Sequence, residues 1–136
     1  MKEINVEIIT PSKSAFKGDV KSITIPGTLG NFQVLYNHAP LLSSFEVGKL
    51  KIVDLDGNKT EYATGGGTVE VHNNKILVLA DSIEKPEEID IERAKMAYER
   101  AKERLSGGRK GDIDVMRAEL SLRRAINRMK LTGASY

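Results

Sequence analysis

Between Ile83 and Ala94 the chain reads IEKPEEIDIERA, and within that stretch the spacing of its apolar residues changes. Before it they alternate; after it they recur every three or four positions. A period of two marks a half-buried strand, and a period near 3.6 marks an amphipathic helix. The chain therefore divides into a strand-rich part, residues 1–84, and a helical part, residues 85–136, which is an α+β organisation by segregation.

Upstream, short alternating runs follow one another: INVEIIT from Ile4, VKSITI from Val20, FQVL from Phe32, LKIVDL from Leu50, KTEYAT from Lys59, TVEV from Thr68 and KILVLA from Lys75. Asp56-Gly57 and Asn73-Asn74 separate neighbouring runs as two-residue hairpin turns would. The pattern predicts an antiparallel sandwich or barrel of short strands. Its inward residues are expected to include Ile4, Val6, Ile8, Ile23, Ile25, Val69, Val71, Leu77 and Leu79.

Downstream, Pro86 suits a first helical turn, and Glu84, Glu87, Glu88 and Asp90 complement a helix N-terminus. Ile91, Ala94, Tyr98, Ala101 and Leu105 then lie on one stripe, SGGRKG breaks the helix, and a second begins near Asp112–Asp114 with Val115, Ala118, Leu122, Ala125 and Met129 in register. Two helices joined this way predict an antiparallel hairpin. A shift of 24 residues superimposes seven of 17 positions, from IDIERA at Ile89 onto IDVMRA at Ile113. Asp90 and Asp114 are expected to cap the two helices, Ile89 and Ile113 to act as staples, and the alanines to line a close seam.

Zero cysteines among 136 residues exclude disulfides, thiolate metal sites and thiol nucleophiles. A composition of 40% hydrophobic and 29% charged residues, without an apolar run near the length of a membrane span, predicts a soluble protein. The alternating start MKEINVEIIT reads as a mature N-terminus and not as a signal peptide. His38 and His72 are the only histidines, and neither sits in a catalytic or metal-binding motif. Gly65-Gly66-Gly67 lacks the Lys-Ser/Thr of a phosphate loop and predicts a bend or bulge in the sheet.

Net charge is +2, but residues 1–83 carry 8 Lys and no Arg, and all eight arginines follow the change of period. Arg93, Arg100 and Arg104, like Arg117, Arg124 and Arg128, fall on one stripe of their helix. Stripes brought together would crowd guanidinium groups and call for an anion, a phosphate or a carboxylate cluster. The simpler alternative is a solvated face, with Glu99 and Glu103 beside Arg100 and Arg104.

The motifs IITPSKSAFKGDV at Ile8, HAPLL at His38, GG followed by VEV at Gly66–Val71, IDIERA at Ile89 and DIDVMRAELSLRRAINRM at Asp112 occur together over nearly the whole chain. In this order the chain resembles the epsilon subunits of F-type ATP synthases. The resemblance implies a non-catalytic subunit of the rotating central stalk. Its sandwich would dock on the gamma subunit and the c-ring, with His38, Ala39, Pro40, Leu41 and Leu42 at that interface. Its hairpin would extend toward the alpha and beta subunits and block ATP hydrolysis, Arg117, Arg123, Arg124, Arg128 and Lys130 meeting an acidic helix of beta. No cofactor is required and no metal is implied. Membrane contact would be made only through the complex, on the cytoplasmic face of a bacterial plasma membrane or, alternatively, the stromal face of a thylakoid.

The resemblance also implies ATP as a regulatory ligand, through Ile89, Asp90, Arg93 and Ala94 with Glu84, Arg100, Arg124 and Arg128 in support. One departure stands out: many family members read Gly-x-Leu-Pro-Gly before HAPL, where this chain has QVLYN, with Gln33, Tyr36 and Asn37 at the glycine, proline and glycine positions. Two other classes remain open from the residues alone. A stand-alone ATP sensor would function without partners, and a nucleic-acid module would use the basic last helix, although no aromatic stacking set accompanies it.

Overall fold

The computed structural model describes residues 2–106 and 112–133, with the backbone alone for 112–114. The chain forms two compact units that part after Lys85.

The first unit contains seven strands: β1 (Ile4–Ile9), β2 (Ser14–Gly27), β3 (Gly30–Val34), β4 (Leu41–Asp54), β5 (Lys59–His72), β6 (Lys75–Ala80) and β7 (Ile83–Glu84). They hydrogen-bond in the order β1-β6-β5-β4-β2-β3, and β1 also pairs with β2, so the sheet closes on itself as a barrel. Closure removes the open edges that would otherwise invite aggregation. Three strands are longer than the sequence pattern predicts: β2, β4 and β5 each run 14 residues. The pairing of β1 with β6 is parallel, whereas every other ladder is antiparallel.

Two of the long strands change neighbours midway. β2 pairs with β1 from Ser14 to Val20 and with β3 from Ile23 to Gly27. β5 pairs with β7 through Ala63 and Thr64, then with β6 from Gly67 onward. The change in β5 falls on the triple glycine: Gly66 has φ +98°, Gly67 has φ +156°, and a Cβ at Gly67 would collide with the Leu79 carbonyl oxygen. KTEYAT and TVEV are thus one strand bent at Gly65–Gly67, the bend that the glycine run predicts.

The core collects Ile4, Val6, Ile8, Ile23, Ile25, Val69 and Val71 as expected, together with Phe45, Leu50 and Tyr62. The face of β6 differs from the expectation. Ile76 and Val78 are buried and Leu79 is 46% exposed, because Val69 stands opposite Val78 and Val71 opposite Ile76. In KILVLA every residue after the lysine is apolar, so alternation carries no phase, and only the partner strand assigns the inward face. At about 1.5–3 kcal/mol for each fully buried aliphatic side chain, this core dominates the stability of the unit.

The turns follow their residues. Asn73 and Asn74 have φ of +50° and +61°, the left-handed pair of a two-residue hairpin. The other connection closes three residues and not two. Asp54 N–H bonds to Asn58 O at 2.9 Å, Gly57 N–H bonds to Asp54 O at 3.1 Å, and Gly57 takes φ +89°. Asp54 Oδ1 accepts from the amides of Asp56 and Asn58, each at 2.9 Å, and so fixes the longer form.

The second unit starts with a 3-10 turn at Pro86–Glu88, followed by α1 (Ile91–Ser106) and α2 (Asp112–Thr132). α1 therefore starts beyond the acidic run, and Asp90 caps it. Asp90 Oδ1 accepts the Arg93 amide at 3.0 Å and its carbonyl accepts the Ala94 amide at 3.0 Å. The expected counterparts at Asp114 and Ile113 have side chains outside the described residues, as does SGGRKG beyond Ser106. α2 packs along α1 and against the 3-10 turn, so its last turns lie beside the first turns of α1. Ala94, Ala101, Ala118 and Ala125 are all buried, at 3%, 1%, 1% and 0% exposure, which is the alanine seam the spacing predicts. Among the described residues of this unit Met129 and Ile89 are the large side chains that are buried as well; Tyr98, Leu105, Val115 and Leu122 are half-buried, and Ile91 is exposed.

Candidate functional site

Three groups of side chains stand out in the sequence, two on the hairpin that share Arg124 and Arg128 and one on the barrel. The first is the mouth of the hairpin. Ile89 is buried and its amide bonds to Pro86 O at 3.2 Å, Asp90 is engaged as the α1 cap, and Ala94 belongs to the seam. Arg93 and Arg100 stand exposed on α1, while Arg124 and Arg128 are half-buried on α2. Because the helices run in opposite directions, the 24-residue repeat places equivalent residues at opposite ends of the hairpin. Arg93 accordingly lies toward the end of α2 that carries Arg128, and not toward its repeat equivalent Arg117. Glu84 is part of β7 in the first unit, paired in register with Ala63.

The electrostatics of the hairpin follow from these positions. Among the described residues, Arg93, Arg100, Arg104 and Arg117 have no ion-pair partner within 4.0 Å, and Glu99 and Glu103 do not supply one. Lys102 instead sits 5.6 Å from the centroid of the Tyr98 ring, four residues earlier on α1. Arg124 is the most informative member. Its Nε is buried and lacks a hydrogen-bond partner among the described residues, an arrangement that is costly for a donor unless an acceptor arrives. An oxyanion would satisfy that N–H, and the neighbouring guanidinium groups would favour a ligand carrying several negative charges.

The second group is the basic series on α2, which the structure divides. Arg124 and Arg128 are half-buried, whereas Arg117, Arg123 and Lys130 are exposed. Arg117 and Arg123 join Met116, Glu119 and Leu120 around a shallow groove of about 470 Å³. Met116 is 67% exposed there, giving the outer face of α2 an apolar strip bordered by cations.

The third group is His38–Leu42, at the junction of the β3–β4 loop with β4. His38 N–H bonds to Leu35 O at 3.1 Å and its ring Nδ1 lies 2.7 Å from Ala39 O, so the imidazole is engaged within its own loop. Among the described residues no cluster of His, Cys, Asp and Glu could hold a metal ion. Leu41 packs partly against the core while Leu42, on the opposite face of the strand, is 76% exposed. With Pro40, Glu70, Val71 and His72 they line a groove of about 540 Å³. Asn37 has φ +63°, the left-handed conformation that a glycine would otherwise supply, so the departure from the glycine pattern keeps a backbone shape of that kind.

The sequence reading missed two exposed apolar residues of the same unit, Leu29 at 103% and Leu35 at 51%, and marked Tyr36, 42% exposed, only as a departure from the family pattern. Leu29 sits at the tip of the β2–β3 hairpin, between Gly27 and Gly30, where a turn is legible but the outward aim of its side chain is not.

Comparison with known proteins covers both units. The family model described as ATP synthase, Delta/Epsilon chain, beta-sandwich domain matches residues 3–86, and that described as ATP synthase, Delta/Epsilon chain, long alpha-helix domain matches residues 87–133. The ATP synthase epsilon chain of Desulforamulus reducens is 42% identical over 125 residues, 92% of this chain and 93% of the relative. That of Halalkalibacterium halodurans is 38% identical over 138 residues, 98% of this chain and 99% of the relative. A chain from the Euglena gracilis mitochondrial ATP synthase superposes with a TM-score of 0.79 at 21% identity, over 92% of this chain and 78% of that one. A chain from the central stalk and c-ring of the Tetrahymena thermophila enzyme does so with a TM-score of 0.60 at 17% identity, over 95% and 96%. No described helix is long and apolar enough to cross a membrane. Matched by family models from residue 3 to residue 133 and by full-length relatives near 40% identity, the chain belongs to the delta/epsilon family of ATP synthase subunits, accessory chains and not the catalytic ones.

Proposed function

We propose that the chain is a central-stalk subunit whose first unit joins the gamma subunit to the c-ring and whose hairpin restrains ATP hydrolysis by the alpha and beta subunits. The observation that carries this reading is the division after Lys85 into a barrel with its own core and a separate unit holding every arginine of the chain. A barrel with a complete core suits permanent docking, through His38, Ala39, Pro40, Leu41 and Leu42. The hairpin suits a movable brake: its seam is mostly alanine, so it buries little area per residue and separates at modest cost. Arg117, Arg123 and Lys130, with Arg124 and Arg128, supply the charge that an acidic helix of beta would meet. The subunit would then be peripheral, held at the cytoplasmic face of a bacterial plasma membrane through the complex, and would have no nucleic-acid partner.

ATP is proposed as the regulatory ligand of the hairpin, held by Arg93, Arg100, Arg124 and Arg128 near Ile89, Asp90 and Ala94. The buried, unpartnered Nε of Arg124 supports an anionic ligand there. Asp90 is committed to its cap, so its role toward the nucleotide is to hold the first turn of α1 in place. A ligand that binds the closed hairpin and not the open one stabilises the closed form by mass action.

Two measurements test these statements separately. Enzyme reassembled with a chain ending at Lys85 is expected to hydrolyse ATP faster than enzyme with the full chain while retaining coupled proton pumping. Equal hydrolysis rates would remove the brake. Calorimetric titration of the full chain with ATP, with ADP and Arg100→Ala as controls, is expected to show saturable binding that the variant weakens. No heat at millimolar ATP would leave IDIERA as a cap and seam alone.

A further inference from the structure

Asn74 ties three segments of the first unit together. It is the second residue of the β5–β6 turn, its carbonyl accepts the Asn5 amide at 2.9 Å, and its side chain reaches a loop 37 residues away in sequence. There its Oδ1 accepts the backbone amide of Asn37 at 2.6 Å, and its Nδ2 donates to Asn37 Oδ1 at 3.4 Å. Among the described residues the other hydrogen bonds of Leu35–Pro40 stay inside that segment, from His38 N–H to Leu35 O and from the His38 ring to Ala39 O. The Asn37–Asn74 pair is therefore what fastens the β3–β4 loop to the neighbouring hairpin.

The turn alone does not call for asparagine at this position. In a two-residue hairpin with both central residues at positive φ, glycine is the favoured second residue, and at φ +61° it would be at least as comfortable as Asn74. Asparagine adds a side chain with an acceptor and a donor, and both are used on Asn37. Leu35 and Tyr36 stand exposed immediately before Asn37, on the loop that this pair fastens. Apolar side chains on a loop already ordered bind a partner without the entropy cost of ordering it afterwards.

We infer that Asn74 is a positioning residue of the docking face: its side chain latches the loop Leu35–Pro40 to the β5–β6 turn and presets Leu35 and Tyr36 for the stalk partner. This rests on the docking reading above, and the variants follow from the geometry. Asn74→Gly keeps the turn and removes the latch. Asn74→Asp tolerates positive φ, keeps the acceptor for the Asn37 amide and loses only the longer bond. Asn37→Gly keeps its own backbone conformation and amide donor.

The test pairs amide hydrogen exchange of the isolated full chain, read at Asn37 and His38 by NMR, with surface plasmon resonance on a purified gamma–c-ring subcomplex. In Asn74→Gly the Asn37 amide is expected to lose protection and affinity for the subcomplex to fall about two- to ten-fold, the scale of one hydrogen bond. Thermal unfolding should stay close to wild type, and Asn74→Asp and Asn37→Gly should retain protection and most of the affinity. Undiminished protection of Asn37 in Asn74→Gly overturns the latch. Lost protection with unchanged affinity overturns the positioning role while leaving the docking reading intact. A wild-type chain that does not bind the subcomplex overturns the docking reading, and the positioning role with it, whatever the exchange shows.

Discussion

Arg124 places a hydrogen-bond donor where packing against α1 leaves it without an acceptor among the described residues. Its Nε is buried without a partner, and a buried donor left unsatisfied costs of the order of 1–3 kcal/mol, less here because the side chain as a whole is only half-buried. Arg124→Met removes the donor and keeps an apolar stem of similar length. The hairpin is then expected to gain up to about 1 kcal/mol, read as slower hydrogen exchange of the seam amides around Ala125. With ATP present the order should reverse, because the wild type gains a ligand and the variant does not. Faster exchange in ligand-free Arg124→Met would mean that the guanidinium already holds the hairpin together. The residue was legible in the sequence as a member of a stripe, but its burial was not, since that depends on how α2 sits against α1. The cap at Asp90 was legible, because capping is decided within four residues of chain.

At the scale of elements, β5 works because glycine stands where the strand exchanges β7 for β6. Gly67→Ala would drive a Cβ into the Leu79 carbonyl, and the β5–β6 ladder begins at that residue, so relief requires breaking the pairing. Gly57, at φ +89° in the β4–β5 turn, is different: a Cβ there would meet nothing within 4 Å, and a side chain faces only the backbone preference. Gly57→Ala is therefore expected to cost about 1–2 kcal/mol. Gly67→Ala should cost clearly more, on the order of 3 kcal/mol, because a steric conflict in the ladder is added. Urea unfolding of both variants checks the ranking, and equal losses would mean that the bend in β5 accommodates a side chain. The existence of this bend could be read from three consecutive glycines, as the β5–β6 turn could from Asn73-Asn74. What could not be read was that β2, β4 and β5 run through such points as single strands: continuity across a bend is maintained by the neighbours, here β4 pairing with β5 on both sides of it, from Ser44 and Phe45 to Val47. The phase of β6 failed for a related reason, a run of apolar residues without alternation.

For the molecule as a whole, the period of the sequence changes near Ile83 and the two compact units part after Lys85, strand and helix periods differing too much to be confused over such lengths. The change of period could not assign the short segment between them. Glu84 reads as a complement to a helix N-terminus, yet with Ile83 it forms β7, and Ile83 is only 5% exposed in the core of the first unit. Ser82 O accepts from Thr64 Oγ1 at 3.1 Å and from the Gly65 amide at 3.1 Å, and Thr64 is 2% exposed. A chain ending at Lys85 keeps all of this and is expected to unfold cooperatively with affinity for gamma intact. A chain ending at Asp81 loses the burial of Ile83, worth about 1.5–3 kcal/mol, and strands the buried Thr64 hydroxyl and Gly65 amide without their acceptor. Its Tm is expected to lie at least about 10 °C below that of the longer chain, given about 4–8 °C per kcal/mol for a domain of this size. Similar Tm values for the two would mean that β7 is an ornament of the barrel. A large gap would set the mechanical boundary of the rotor element after β7, so that the segment free to move begins beyond Glu84, at the turn that leads into the Asp90 cap.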